Sequence, residues 1–315
     1  MAPAKQNRIT PPGGAQEEQK MAFVVYTDGA SNLPGRYLTD YDIRVLPCSY
    51  TLDGAHRQYE GNIDIFDSHA YYDLLRAGSV MKTSLLNAHL FETTFRPVLE
   101  AGLDVVYVGM SSGISGTIQA ARIAAEELTH EFPGRTVRVV DSMGAGFGTG
   151  ILAIRASQLR SEGKSAAEAG EILDSEVMHT LQFFTVDDLN FLKRSGRVSG
   201  ATAAIATVLN IKPILWGDPT GHITALSKVR GRKKAIAALA ELYRSHLPEG
   251  DVELLAISHG DCPADAQALA DALKAIREPK ELIISPHEPF TGSHVGPGML
   301  ALFFQGTHRY AAPPN

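Results

Sequence analysis

The chain's apolar positions keep two rhythms, and the sharpest change between them falls at 105–128. Residues 105–108 are apolar without a break and stop at Gly109, which reads as a buried strand. Ile118, Ala121, Ala125 and Leu128 then recur at helical spacing, so the stretch ends as a helix. Between them runs a loop of small residues, with Ser111, Ser112, Ser115 and Thr117 set among glycines. A strand feeding a helix through such a turn gathers backbone N–H groups at the positive end of the helix dipole, a place suited to an anionic or strongly polar oxygen. An ordinary β-α turn with a serine cap fits the same residues equally well.

The rest of the first half repeats this alternation. Strands are predicted at 22–26, 44–52 and 136–140, and helices at 65–76, 88–101, 149–162 and 166–179. The pattern implies a parallel sheet covered by helices. From residue 181 the character changes. A strand at 181–186, a short helix at 187–193 and a small-residue helix at 199–209 precede a hairpin turning at 218–221. A helix at 230–247 with a basic start comes next, then strands at 252–258, 281–285 and 299–304. Residues 291–298 read as a turn cluster. The fold class is therefore α/β in two domains, 21–180 and 181–310, the second of mixed α/β type. Residues 1–20, rich in Pro, Gly and Gln, read as a disordered extension.

Composition narrows the function classes. A net charge of −6 argues against general nucleic-acid binding. The two cysteines, Cys48 and Cys262, have neither disulfide nor zinc spacing and fit a reducing, cytoplasmic compartment. The histidines show no metal-ligand spacing. No apolar run reaches the length of a membrane span, and the N-terminus has no secretory h-region. Glycines at 144, 146, 148 and 150 miss the dinucleotide spacing and are read as room for helix–sheet packing.

Three groups of residues suggest chemistry. Gly109-Met110-Ser111-Ser112-Gly113 matches the nucleophile elbow of a serine hydrolase, and Asp261 and His294 come after it in the order such enzymes use. Against this, no His-Gly-Gly-Gly segment precedes it, and Asp261 before Pro263 reads as a helix cap. Asp28 at the end of the first strand could bind a ligand hydroxyl, and a turn or cap residue is the reading that fits better. Basic residues concentrate between Lys193 and Lys234 in an otherwise acidic chain, which favours a docking face for phosphate or an acidic partner.

Five segments in order resemble the DegV family of bacterial fatty-acid-binding proteins: 27–34, 82–84, 111–119, 195–199 and 294–298. Residues 210–215 and 228–230 fit as well. The resemblance implies one long-chain fatty acid held between two domains by a protein with no catalytic residues, metal or cofactor of its own. It implies a carboxylate site of Thr83, Ser84, Ser111, Ser112, Ser115 and His294. It further implies a partner, a separate ATP-dependent fatty-acid kinase subunit that makes the acyl phosphate, with Arg197 and Arg230 at the docking surface. A transient contact with an anionic membrane surface belongs to the same expectation. The chain departs from the family pattern at Gly29, at Leu85-Leu86 and at Ile118. A serine hydrolase using Ser111 and a plain fatty-acid carrier stand as alternatives.

Overall fold

The computed structural model describes residues 23–198 and 210–310. The expected extension at 1–20 and the helix at 199–209 lie outside the described residues. The chain opens with strand β1 (Phe23–Asp28), helix α1 (Gly35–Asp40) and β2 (Ile43–Leu46). Next come β3 (Cys48–Leu52), β4 (Ala55–Tyr59), α2 (Ser68–Arg76) and β5 (Met81–Thr83). The alternation resumes with α3 (Ala88–Glu100), β6 (Asp104–Gly109), α4 (Thr117–Glu131), β7 (Val137–Asp141), α5 (Phe147–Ser161) and α6 (Ala166–Glu176).

The second half contains β8 (Thr180–Thr185), α7 (Asn190–Ser195), β9 (Ile211–Gly217), β10 (Ile223–Arg230) and α8 (Arg232–Ser245). It ends with β11 (Leu254–His259), α9 (Pro263–Ile276), β12 (Glu281–Pro286), α10 (Pro289–Val295) and β13 (Leu300–Gln305).

These strands form three sheets. The first is parallel throughout, in the order β2-β1-β6-β7. The second has the order β10-β9-β8-β13-β11-β12 and is antiparallel except for β11 with β12. The third is a small antiparallel sheet, β4-β3-β5. Strand β6 is central and buried on both faces, as its unbroken apolar run requires. Helix α4 buries Ile118, Ala121, Ala125 and Leu128, the face read from the sequence. One core cluster joins Val25, Val106 and Phe147 of the first half to Leu215, Ala256 and Phe303 of the second.

Several expectations need correction. The single strand at 44–52 is two strands, broken at Pro47, where the chain leaves the parallel sheet for the small one. Asp53 and Gly54 both have positive φ, the geometry of a tight hairpin turn, and β4 pairs back onto β3. Residues 55–59 show no apolar alternation because four of the five are exposed. No strand is predicted at 81–83, yet these residues form β5, with Thr83 paired to Tyr50. The cap of the next helix is Asn87, whose side chain accepts from the Leu90 N–H. The turn cluster at 291–298 begins inside α10. The basic start of α8 is offset from outside, because Arg232 pairs with Asp265 and Asp187.

Candidate functional site

The loops after β6 and β7 face the second sheet across a crevice at the carboxyl ends of the parallel strands, where α/β folds place their ligands. A cavity of about 450 Å³ fills that crevice, within the range of small-molecule sites. Its walls include Ile114 and Met143 from the first half and Phe184, Ala301 and Phe303 from the second. A second cavity of about 990 Å³ adjoins it, lined among others by Arg76, Lys82, Arg194, Asp187 and Asp261. Thr83, Arg197 and His294 belong to both walls. They stand at a neck between an apolar chamber and a charged one.

The chemistry of the neck comes from its burial. Thr83 Oγ1 lies 3.1 Å from His294 Nε2. Burial, and then the nearby Arg197 charge, push the His294 imidazole down to about 4. At neutral pH it is uncharged, with one ring nitrogen a donor and the other an acceptor. A hydroxyl, a neutral imidazole and a guanidinium together suit an anionic oxygen group that must leave water, since a buried charge needs paired and hydrogen-bonding neighbours.

His294 is held by an unusual short helix. α10 starts at Pro289, a residue favoured at the first helical position. Its cap is Glu288, fully buried, whose carboxylate accepts from Phe290 N at 2.5 Å and from Thr291 N at 2.9 Å. Burial raises this carboxyl to about 7, against the lowering effect of those bonds. His287, also buried, joins Ser258 Oγ and Thr291 Oγ1, each at 2.8 Å. Desolvation pushes it down to about 3, so it too is neutral. Asn32, from the turn after β1, ties this segment to the first half. Its amide donates to Ser285 Oγ and the Pro286 carbonyl and accepts from Glu288 N at 2.7 Å.

The sequence-predicted residues separate into groups. Thr83, Ser111, Ser112, Ser115 and His294 all line the apolar cavity. Ser115 Oγ is 3.0 Å from Thr117 Oγ1 and accepts from Thr117 N, and Ser112 is exposed at the loop surface. Ser111 is buried, and its hydroxyl donates to the Gly221 carbonyl at 2.9 Å, fastening the β9–β10 turn to the loop. Ser84 is exposed and outside both cavity walls; its backbone N–H donates to Ser49. Arg197, expected on a docking surface, stands at the neck. Arg230 is exposed at the end of β10 and lines neither cavity.

The hydrolase constellation is not assembled. Ser111 bonds Gly221, His294 bonds Thr83, and Asp261 bonds Arg76 and His69. Asp261 is not the cap of α9 either: Cys262 holds that position and Asp261 has a φ of 55°. Asp28 does serve as a cap, accepting from Ala30 N at 2.9 Å, and also accepts from the Tyr107 hydroxyl at 2.7 Å. Among the described residues, His69, Asp73 and Asp261 each bring one ligand atom to within 4.8 Å of the others. Arg76 bonds both carboxylates and already supplies their counter-charge.

The described helices include none long and apolar enough to cross a membrane. A family profile described as "Uncharacterised protein, DegV family" matches residues 22–307. A DegV domain-containing protein of Clostridium perfringens is 34% identical over 285 residues, spanning 90% of this chain and 97% of the relative. Among solved structures, a DegV family protein from Thermus thermophilus, described by its fatty acid binding, is 30% identical. It superimposes with a TM-score of 0.80 over 91% of this chain and 100% of its own. A hypothetical protein from Thermotoga maritima, whose structure is said to reveal fatty acid binding function, is 27% identical with a TM-score of 0.77. It covers 91% of this chain and 99% of its own.

Proposed function

Since the chain belongs to the DegV family, we propose that it binds one long-chain fatty acid, with the tail in the apolar cavity and the carboxylate at the Thr83–His294–Arg197 neck. The observation that carries this reading is the neck itself, shared by an apolar chamber and a charged one. Ser115 completes the head-group site, while Ser112 is left out because its backbone N–H donates to the Asp141 carboxylate at the end of β7, away from Thr83. Ser84 and Ser111 are left out of it, one exposed and the other engaged with Gly221. The two halves of the chain then act as two domains, 21–180 and 181–310, with the ligand between them.

The energetics favour such an amphiphile. Each buried methylene contributes about 0.8 kcal/mol, so a tail of about fourteen supplies on the order of 11 kcal/mol before the costs of binding. Each hydrogen bond to the carboxylate adds about 1.5–3 kcal/mol. The tail dominates affinity, and the neck fixes which end faces the charged chamber.

The finer reading concerns the fate of the bound acid. In it the protein is a non-catalytic cytoplasmic subunit that presents the carboxylate to a separate ATP-dependent fatty-acid kinase, which forms the acyl phosphate. Its support is the family resemblance and the exposed Arg230 in a basic segment of an acidic chain, suited to an acidic partner or, transiently, an anionic membrane. The plain carrier is the competing reading. Binding is tested by thermal shift of delipidated protein with palmitate and with its methyl ester. Palmitate should stabilise the wild type more than the ester does, and Thr83→Val and His294→Ala should shrink that difference. Equal stabilisation by acid and ester would show that the neck does not hold the carboxylate.

A further inference from the structure

Thr83 and the β7 loop line the cavity from opposite sides of the first half of the chain. Thr83 ends β5, which pairs with β3, and β3 continues the edge strand β2 across Pro47. Met143, Gly144 and Ala145 come after β7, the other edge of the same sheet, and line the cavity there. The second sheet gives the same direction. Met299, Ala301 and Phe303 line the cavity in succession, leading away from His294. Phe184 lies opposite Ala301 and Gln182 opposite Phe303. At roughly 3.4 Å per residue, Phe303 and Gln182 lie about 14 Å beyond Met299.

At this far end an apolar wall gives way to an amide. Gln182 is 8% exposed and sits in a strand otherwise dominated by Leu, Phe and Thr. Its Oε1 accepts from Ala145 N at 3.1 Å, and its Nε2 donates to the Met143 carbonyl at 2.8 Å. Those bonds fix the side chain in the cavity wall. The glycines around it are shaped to the amide. A Cβ on Gly144 would stand 2.7 Å from Nε2, and one on Gly148 would stand 2.8 Å from Oε1. Two members of the glycine run that fails as a dinucleotide motif thus make room for one side chain. Behind it lies Arg309, 1% exposed, which donates to the Met143 and Thr180 carbonyls and lines neither cavity.

We infer that Gln182 is the tail stop of this site: its stapled amide closes the distal end of the cavity and sets the length of acyl chain the protein selects. The inference rests on the fatty-acid reading and adds the residue that measures the ligand. An amide suits the position physically. A hydrocarbon side chain there would leave Ala145 N without this acceptor and would be free to slide. The bonded amide holds one rotamer, presents a fixed floor, and separates the tail from a buried guanidinium. Truncation to alanine removes the amide and its γ-carbon, space that close packing lets a tail fill with roughly two to four carbons. Ala145→Val acts in the opposite sense. It adds bulk at the same end and keeps the backbone N–H that Gln182 accepts from.

The test loads delipidated protein from an equimolar mixture of saturated acids of twelve to twenty carbons and identifies the bound acids by mass spectrometry. Gln182→Ala should shift the bound distribution to longer chains by roughly two to four carbons, and Ala145→Val to shorter chains by roughly one or two. Should Gln182→Ala fail to fold, Ala145→Val decides alone. A loaded wild type and loaded variants with the same chain-length distribution would overturn the tail stop and leave the binding reading intact. A wild type that takes up no acid from the mixture would overturn both.

Discussion

Asn32 offers the sharpest test of how the site is held together. Its side chain is fully buried, and it joins the first half of the chain to the segment that starts α10. Asn32→Ala removes the bonds to Ser285 Oγ (3.0 Å), the Pro286 carbonyl (3.1 Å) and Glu288 N (2.7 Å). Leaving the buried Glu288 N–H without an acceptor costs about 1–3 kcal/mol, and each donated bond lost about 1 kcal/mol more. Asn32 also has a φ of 60°, where alanine adds roughly 1 kcal/mol of strain. The expected loss is about 4–6 kcal/mol, with Ser285→Ala, which deletes only one of the bonds, losing about 1 kcal/mol. Urea unfolding read by linear extrapolation measures both. The Asn32 variant should also bind fatty acid less tightly, because α10 carries His294. A loss within about 1 kcal/mol of wild type, or equal to that of Ser285→Ala, would refute the clamp.

The electrostatics give two further outcomes. Glu288 is raised from 4.5 to about 7 in the folded protein, so it stabilises the fold fully below pH 4.5 and loses that contribution as pH rises to 7. Relative to Glu288→Gln, the wild type should therefore lose on the order of 3 kcal/mol across that window. His287 and His294 are depressed and give the opposite slope in both proteins. A stability difference that is flat with pH in paired unfolding titrations would show that Glu288 does not titrate there. Arg197→Glu should lower fatty-acid affinity at least tenfold by setting like charge against the carboxylate. Arg230→Glu should leave lipid content near wild type while reducing acyl-phosphate formation with a kinase subunit; lipid assays and phosphorylation on the same preparations separate the two effects.

The alternating half of the fold is legible in the sequence because its strands are long, apolar and buried, and its helices carry a clear stripe, as in β6 and α4. The elements that escape are short or polar. α1 has six residues and no side-chain cap. β4 is exposed at four positions of five, and its existence depends on the turn at Asp53-Gly54. α10 has seven residues, including Gly292 and two hydroxyl residues. Its order comes from the Glu288 cap and its packing, not from propensity.

The candidate site divides the same way. The hydroxyl loop after β6 announces itself through its strand–turn–helix setting, whereas Thr83 and His294 enter through the family resemblance. Their meeting at 3.1 Å joins residues 211 apart in the chain, a proximity no local pattern encodes. Arg197 enters as a docking residue through the same resemblance, and only the structure shows that it lines both cavities. Asn32 lies in the family-resembling segment 27–34, but nothing in that segment says what it bonds. Gln182 and Glu288 carry no motif, and a lone glutamine in the apolar run at 181–186 is the one signal between them.

The central claim is that the neck and the apolar cavity hold a fatty acid. Mass spectrometry of the organic extract of freshly purified protein, quantified against protein concentration, tests it most directly. The expected result is roughly one long-chain fatty acid per chain, with lower occupancy in Thr83→Val and His294→Ala. Protein that carries no fatty acid as purified, and takes none up when palmitate is supplied, would contradict it.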